Sequence, residues 1–194
     1  VQKMDAESAV ALARQANDRL FEACRAYKDR LYAFAVCPTP DPKAAADELE
    51  RTVTKYNAKG VMIHGLTNGV FHDDKRFWPI YERAEALDVP IYIHPAYPHP
   101  AVVEAYYKDY LGEYPNLASS GWGFGVETAT QGIRFCLSGV FDKYPKLQIV
   151  LGHLGEGLPF FVWRISQSLA RPGNAGAKKN FRDVFSEHFY ITTS

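Results

Sequence analysis

The sequence predicts an α/β fold in which strands and helices alternate, arranged as a (β/α)8 TIM barrel. Three observations carry this expectation. Short apolar runs alternate with segments of helical periodicity in the order βαβαβαβαβ, the pattern of a parallel sheet. The strand runs are apolar almost throughout (Ile91-Tyr-Ile93, Ile149-Val-Leu151), as expected when both faces of a sheet are covered. Two of them end on a histidine: Val89-Pro-Ile-Tyr-Ile-His94-Pro95 and Leu147-Gln-Ile-Val-Leu-Gly-His153-Leu-Gly-Glu156. A β/α barrel places its chemistry at the C-terminal ends of its strands, so a histidine there is a candidate ligand or proton carrier. An open doubly wound sheet is the alternative, but the Gly-rich fingerprint of a dinucleotide fold does not occur.

The elements follow in order. Residues 5–27 read as a helix: Asp5 can cap it, and Ala9, Leu12, Ala13, Ala16, Leu20, Ala23 and Cys24 recur at helical spacing. Residues 31–37 form an apolar run ended by Pro38-Thr-Pro40-Asp-Pro42, a strand followed by a helix-opening loop. Residues 44–57 read as a helix with Leu49, Val53 and Tyr56 on one face. Gly60-Val-Met-Ile-His64-Gly-Leu66 is a strand, and 75–87 a helix carrying Trp78, Ile80, Tyr81 and Ala84. After the His94 strand, 95–123 is rich in Pro, Gly and aromatics, with a short helix near 102–111; connections this long carry function or disorder. A helix over 127–144, the His153 strand and a helix over about 157–170 come next. A polar, Gly-rich stretch (171–176) leads to a last helix and a strand-like run over 188–194.

At 194 residues, 47% hydrophobic, the chain suits one domain (1–194) with its own core. Lys+Arg and Asp+Glu balance at 22 each, without the basic surplus of a nucleic-acid binder. Lys55 and Lys178-Lys179 read as solvated surface. No apolar run approaches the roughly 20 residues of a membrane span, and no signal-peptide core opens the chain. The cysteines (Cys24, Cys37, Cys136) lack Cys-x-x-Cys spacing, so a disulfide framework and a thiolate zinc site are not expected; a reducing, cytoplasmic setting fits. The chain starts at Val1 and stops after a strand-like run, and a full barrel takes about 250 residues; an internal portion of a longer enzyme is expected.

Chemistry concentrates in a few residues. His94, at a strand end, can bind a divalent metal through one ring nitrogen; the alternative is a packed or loop histidine. His153 lies between Gly152 and Gly155, and Glu156 can accept its proton, fixing the tautomer; helix capping explains Glu156 equally well. Arg164 can bind a carboxylate bidentately or be a surface arginine. Trp122 and Phe124 can form a stacking wall or pack as loop aromatics. His64, His72 and His99 read as structural, His64 least firmly because it too approaches a strand end. Gly-x-Ser-x-Gly does not occur, so metal chemistry is favoured over an acyl-enzyme.

Pro90-Ile-Tyr-Ile-His94-Pro95, Gly121-Trp-Gly-Phe-Gly-Val-Glu-Thr-Ala-Thr130, Gly139-Val-Phe-Asp-Lys-Tyr-Pro145 and Gly152-His-Leu-Gly-Glu-Gly-Leu-Pro159 with Arg164 resemble the amidohydrolase superfamily. Within it they are most similar to non-oxidative decarboxylases of γ-resorcylate, 2,3-dihydroxybenzoate and 5-carboxyvanillate, with aminocarboxymuconate semialdehyde decarboxylases further off. Ala16-Asn-Asp-Arg-Leu20 and Tyr190-Ile-Thr-Thr-Ser194 fit the same family. The resemblance implies one divalent metal, Zn²⁺ or Mn²⁺, at the barrel mouth. His94 would be the strand-5 ligand. His153 would lie beside the substrate, held by Glu156. Trp122 would line the pocket, and Arg164 would bind substrate, in some relatives across a subunit boundary. The strand-1 ligand pair and the strand-8 aspartate, the usual proton donor, are not in this sequence, so the visible strands would be about 3 to 7. Gln131 stands where the family often has His.

The expected function is metal-dependent decarboxylation of a small aromatic hydroxy-acid such as a hydroxybenzoate, by a homodimer or homotetramer, with neither nucleic acid nor membrane as partner. The alternatives are a lactonase-like metal hydrolase and an inactive or assembly-only remnant.

Overall fold

The computed structural model describes residues 1–174 and 179–193; the expectations for Lys178, for Ala175 and Gly176, and for Ser194 lie outside them. Five strands, β1 (Ala35–Val36), β2 (Val61–His64), β3 (Ile91–His94), β4 (Ile149–Leu151) and β5 (Phe189–Ile191), form one parallel sheet in the order β1-β2-β3-β4-β5. A doubly wound sheet would reverse its order at a switch point; this one does not. The helices are α1 (Ala6–Arg25), α2 (Pro42–Tyr56), α3 (Trp78–Ala86), α4 (Pro100–Val102), α5 (Gly123–Leu137), α6 (Val140–Lys143), α7 (His153–Glu156), α8 (Val162–Leu169) and α9 (Phe181–His188).

Strand residues alternate between two faces. Val61, Ile63, Ile91, Ile93, Ile149 and Leu151 are buried and meet the core formed with Leu49, Tyr81, Phe135 and Leu158. On the other face Met62, Tyr92 and Val150 are half-buried and Tyr190 is exposed. The expectation of two covered faces is therefore corrected: among the described residues only one face is fully buried. The strands look uniformly apolar because the open face also carries Met, Tyr and Val.

Local chemistry explains most boundaries. Asp5 caps α1 by accepting the Ser8 amide at 2.9 Å. Asp41 caps α2, accepting from the amides of Lys43 (3.1 Å) and Ala44 (3.0 Å), with Pro42 at the first helical position and left-handed Asn57 at the end. Three predicted elements are divided. Gly139 (φ 80°) splits the helix expected over 127–144 into α5 and α6, and α5 starts four residues early at Gly123. The helix expected over 157–170 is a 3-10 turn, Leu158–Phe160, followed by α8. The 102–111 helix is a π turn, Val103–Tyr107, then a 3-10 turn. The cysteines are free, and among the described residues no helix is long and apolar enough to cross a membrane.

His72 bears out its structural reading. It is fully buried, its Nε2 lies 3.2 Å from the Thr67 hydroxyl, and Tyr81 donates to its carbonyl at 2.5 Å. Burial pushes its pKa down to about 4. The unfolded chain, titrating near 6.5, therefore binds the proton first as pH falls. Stability from neutral His72 is complete above pH 6.5 and declines between about 6.5 and 4, by roughly 3 kcal/mol in all. Urea midpoints at pH 7.0 and 4.5 measure it. The drop is expected to be smaller in His72→Gln; an equal drop in both proteins would refute the assignment.

Candidate active site

Adjacent strands lie about 4.8 Å apart, so side chains in register at the C-terminal edge become neighbours. His64 and His94 are in register on β2 and β3, and their ring centroids are 4.5 Å apart. His153, just past β4, places its ring 5.8 Å from that of His94. Three imidazoles thus stand in a row along one sheet edge. His64, expected to be structural, stands in this row, and the sequence signal for it is the Ile-His ending that β2 shares with β3 (Ile63-His64, Ile93-His94). Burial lowers the His64 pKa, with the His94 ring adding to the shift.

His94 Nδ1 lies 2.8 Å from the Pro95 carbonyl oxygen, which can only accept. Nδ1 therefore carries the hydrogen, and the Nε2 lone pair is free for a metal or a proton. Among the described residues no three His, Cys, Asp or Glu side chains are grouped to hold a metal ion. The chain's fit to a metal is thus one prepared nitrogen, on His94.

Residues 153–157 carry the longest run of positive φ among the described residues. All five have positive φ: His153 45°, Leu154 57°, Gly155 68°, Glu156 53° and Gly157 73°. This is one turn of left-handed helix, which costs each L-residue roughly 1–2 kcal/mol. It is tied down by Gly155 N–H to Gly152 O (2.7 Å) and Leu154 N–H to Thr192 O (3.0 Å). Gly155 is needed twice over: its φ is positive, and a Cβ there would press on Pro159 and Ile191 at 3.0–3.1 Å. The turn brings residues i and i+3 to one side, where His153 Nδ1 meets Glu156 Oε1 at 2.6 Å. Glu156 is thus the partner of His153 in a left-handed turn, and not the cap of the helix expected from 157. Burial raises the Glu156 pKa, opposed by the His153 hydrogen bond. The Glu156 side chain is 6% exposed and that of His153 50%, so the acid is anchored and the imidazole accessible.

Trp122 and Phe124 open α5 and line, with His153, Glu156, Val126 and Ile133, a cavity of about 650 Å³. Arg164 is placed apart from this group. It is exposed on α8, makes no ion pair among the described residues and does not line the cavity. His99 is structural: its Nδ1 caps α4 by accepting the Ala101 amide at 3.1 Å.

Comparison with known proteins identifies the family of the chain. A γ-resorcylate decarboxylase from a Rhizobium species is 39% identical over 199 residues, covering 98% of this chain and 59% of that protein. A crystal structure of a 2,6-dihydroxybenzoate decarboxylase complexed with 2,6-dihydroxybenzoate superposes with a TM-score of 0.88 at 39% identity, covering 99% of this chain and 61% of that one. A dihydroxybenzoic acid decarboxylase from a Polaromonas species, with bound manganese and the inhibitor 2-nitroresorcinol, gives 0.86 at 40% identity, covering 97% and 58%. The chain thus spans about three fifths of the length of these relatives. The amidohydrolase family model matches residues 1–174, every strand but the last together with the whole left-handed turn, and the chain belongs to the amidohydrolase family.

Proposed function

We propose that the protein catalyses metal-dependent, non-oxidative decarboxylation of an aromatic hydroxy-acid of the hydroxybenzoate type. In this reading the chain is a single barrel domain's portion, about strands 3 to 7 of a (β/α)8 barrel. Its sequential parallel order with one buried face supports that arrangement. The observation that carries the function is the convergence of His94 and His153 at one edge, with Glu156 on His153, in a chain whose relatives bear the names of dihydroxybenzoate decarboxylases.

The reaction replaces a carboxylate by hydrogen. The ring carbon takes up a proton, the C–C bond breaks, its electron pair returns to the ring, and CO₂ leaves. A bound divalent ion, Zn²⁺ or Mn²⁺, supplies Lewis-acid polarisation and a template for the substrate oxygens. His94 offers its Nε2 as one ligand. Glu156 keeps the His153 hydrogen on Nδ1, so Nε2 accepts or returns a proton and steers the carboxylate. Trp122 and Phe124 stack on the flat ring and keep water from it. Arg164, exposed and outside the lining of this cavity, suits a contact with substrate in a second copy, in a homodimer or homotetramer. The free cysteines support a reducing, cytoplasmic setting.

The test is incubation of the full-length, Mn²⁺- or Zn²⁺-loaded protein with hydroxybenzoates, 5-carboxyvanillate and lactones. CO₂ release with the matching phenol is expected. Lactone opening without CO₂ would replace the decarboxylase by a hydrolase; inertness to the whole panel would favour an assembly role.

A further inference from the structure

Gly152 follows β4 and precedes the left-handed turn, yet its own backbone (φ −72°, ψ −178°) is open to any residue. What demands glycine there is space. A Cβ on Gly152 would stand 2.5 Å from the Tyr92 hydroxyl oxygen, inside any van der Waals contact, and 3.6 Å from Glu156 Oε1. On the far side of the same carboxylate, a Cβ on Gly125 of α5 would lie 3.1 Å from Glu156 Oε2. The Glu156 carboxylate therefore lies beside two stretches of bare backbone, and the Tyr92 hydroxyl occupies the space that a side chain on Gly152 would need.

Tyr92 precedes His94 by two residues on β3, so both side chains leave the same face of the sheet. Their rings stack at 6.3 Å and 28°, and Phe34 meets the Tyr92 ring edge-on at 6.2 Å. The phenol is thus fixed on two sides, and its oxygen has a defined position relative to His94. A left-handed turn is locally unfavourable, so its start must be set by contacts from elsewhere in the fold.

We propose that Tyr92 is a positioning residue for the His153–Glu156 pair. Its hydroxyl is a stop against the Gly152 backbone, and Gly152 and Gly125 leave the room in which the carboxylate lies. One strand then carries both His94 and the stop, which fixes the separation of the two histidines. The inference deepens the decarboxylase reading and rests on it for its kinetic readout alone.

The experiment compares Gly152→Ala, Tyr92→Phe, the two combined, and Gly125→Ala, all in the full-length protein. Two readouts are followed: kcat and KM on the substrate that is turned over, and the downfield imidazole N–H proton signal of the short His153–Glu156 hydrogen bond, which needs no substrate. Gly152→Ala is expected to lower kcat about 10²-fold with KM within about threefold, and to shift or abolish the N–H signal. With the Tyr92 hydroxyl removed, the nearest ring carbon, Cζ, stands 3.5 Å from the added methyl, an ordinary contact. The combined variant should therefore recover the signal, and kcat to within about threefold of Tyr92→Phe alone. Gly125→Ala should shift the signal as well. If Gly152→Ala folds poorly, its melting temperature must be restored by Tyr92→Phe. An unchanged signal and kcat in Gly152→Ala, or no recovery in the combined variant, overturns the inference. Recovery of the signal in a protein that releases no CO₂ from any substrate leaves the stop standing and removes the decarboxylase.

Discussion

His153→Ala in the full-length protein is expected to reduce turnover about 10²-fold or more, the scale of general acid–base catalysis. The fold constrains this imidazole and leaves it accessible at once. Its Nδ1 is bonded to Glu156 at 2.6 Å, its ring lies 5.8 Å from that of His94, and its side chain is 50% exposed. A half-exposed ring at an unfavourable φ contributes little to packing, so the variant should unfold within about 1 kcal/mol of the parent. Glu156→Gln should cost less, about tenfold, because the amide keeps the shape of the acid and loses its charge. Rates and melting curves on the same samples separate chemistry from folding. A His153→Ala enzyme with parental turnover would end the assignment of this residue.

Asn17→Leu is expected to destabilise the fold by about 3 kcal/mol or more, lowering the melting temperature by roughly 10 °C. Asn17, on α1, is fully buried. Its side-chain oxygen accepts the Val36 amide at 2.7 Å, and its nitrogen donates to the Val36 carbonyl at 3.1 Å and to Glu48 Oε1 at 2.8 Å. The amide thus pairs with β1 as a neighbouring strand would. It also joins β1 to the buried Glu48, which Arg51 holds at 2.7–2.8 Å. Leucine fills the space but leaves the Val36 amide and carbonyl unpaired, each at about 1–3 kcal/mol, and takes one of the two donors from Glu48 Oε1, which keeps Arg51. Thermal and urea unfolding measure the loss; a change below about 1 kcal/mol would show that water replaces these bonds. This contact also explains how β1, only Ala35–Val36, persists where a strand over 31–37 was expected.

Elements whose signals are local were legible. Asp5, Asp41 and Pro42 mark helix starts through their own hydrogen bonds and dihedrals, and all five strands fall within the runs expected to be strands. Signals that depend on a partner far along the chain were not. Gly139 splits a helix whose periodicity continues through it, and half-exposed Met62, Tyr92 and Val150 are as apolar as buried residues. His64 gains its meaning from its register with His94, which pairing decides.

The residues 94, 153 and 156 could be singled out from strand-end position and glycine neighbours, because the period of a strand and the placement of glycine are written in adjacent residues. Their distances could not. The left-handed path from 153 to 157 opposes the intrinsic preference of L-residues, so local sequence alone argues against it, and only the Thr192 carbonyl, the Gly152 backbone and the packing of Tyr92, Pro159 and Ile191 make it the stable course. Composition and periodicity determined that this chain builds a parallel α/β sheet with histidines at one edge. Long-range packing decided that two of those histidines and the Glu156 carboxylate stand together at that edge, because a locally unfavourable turn exists only where distant contacts hold it.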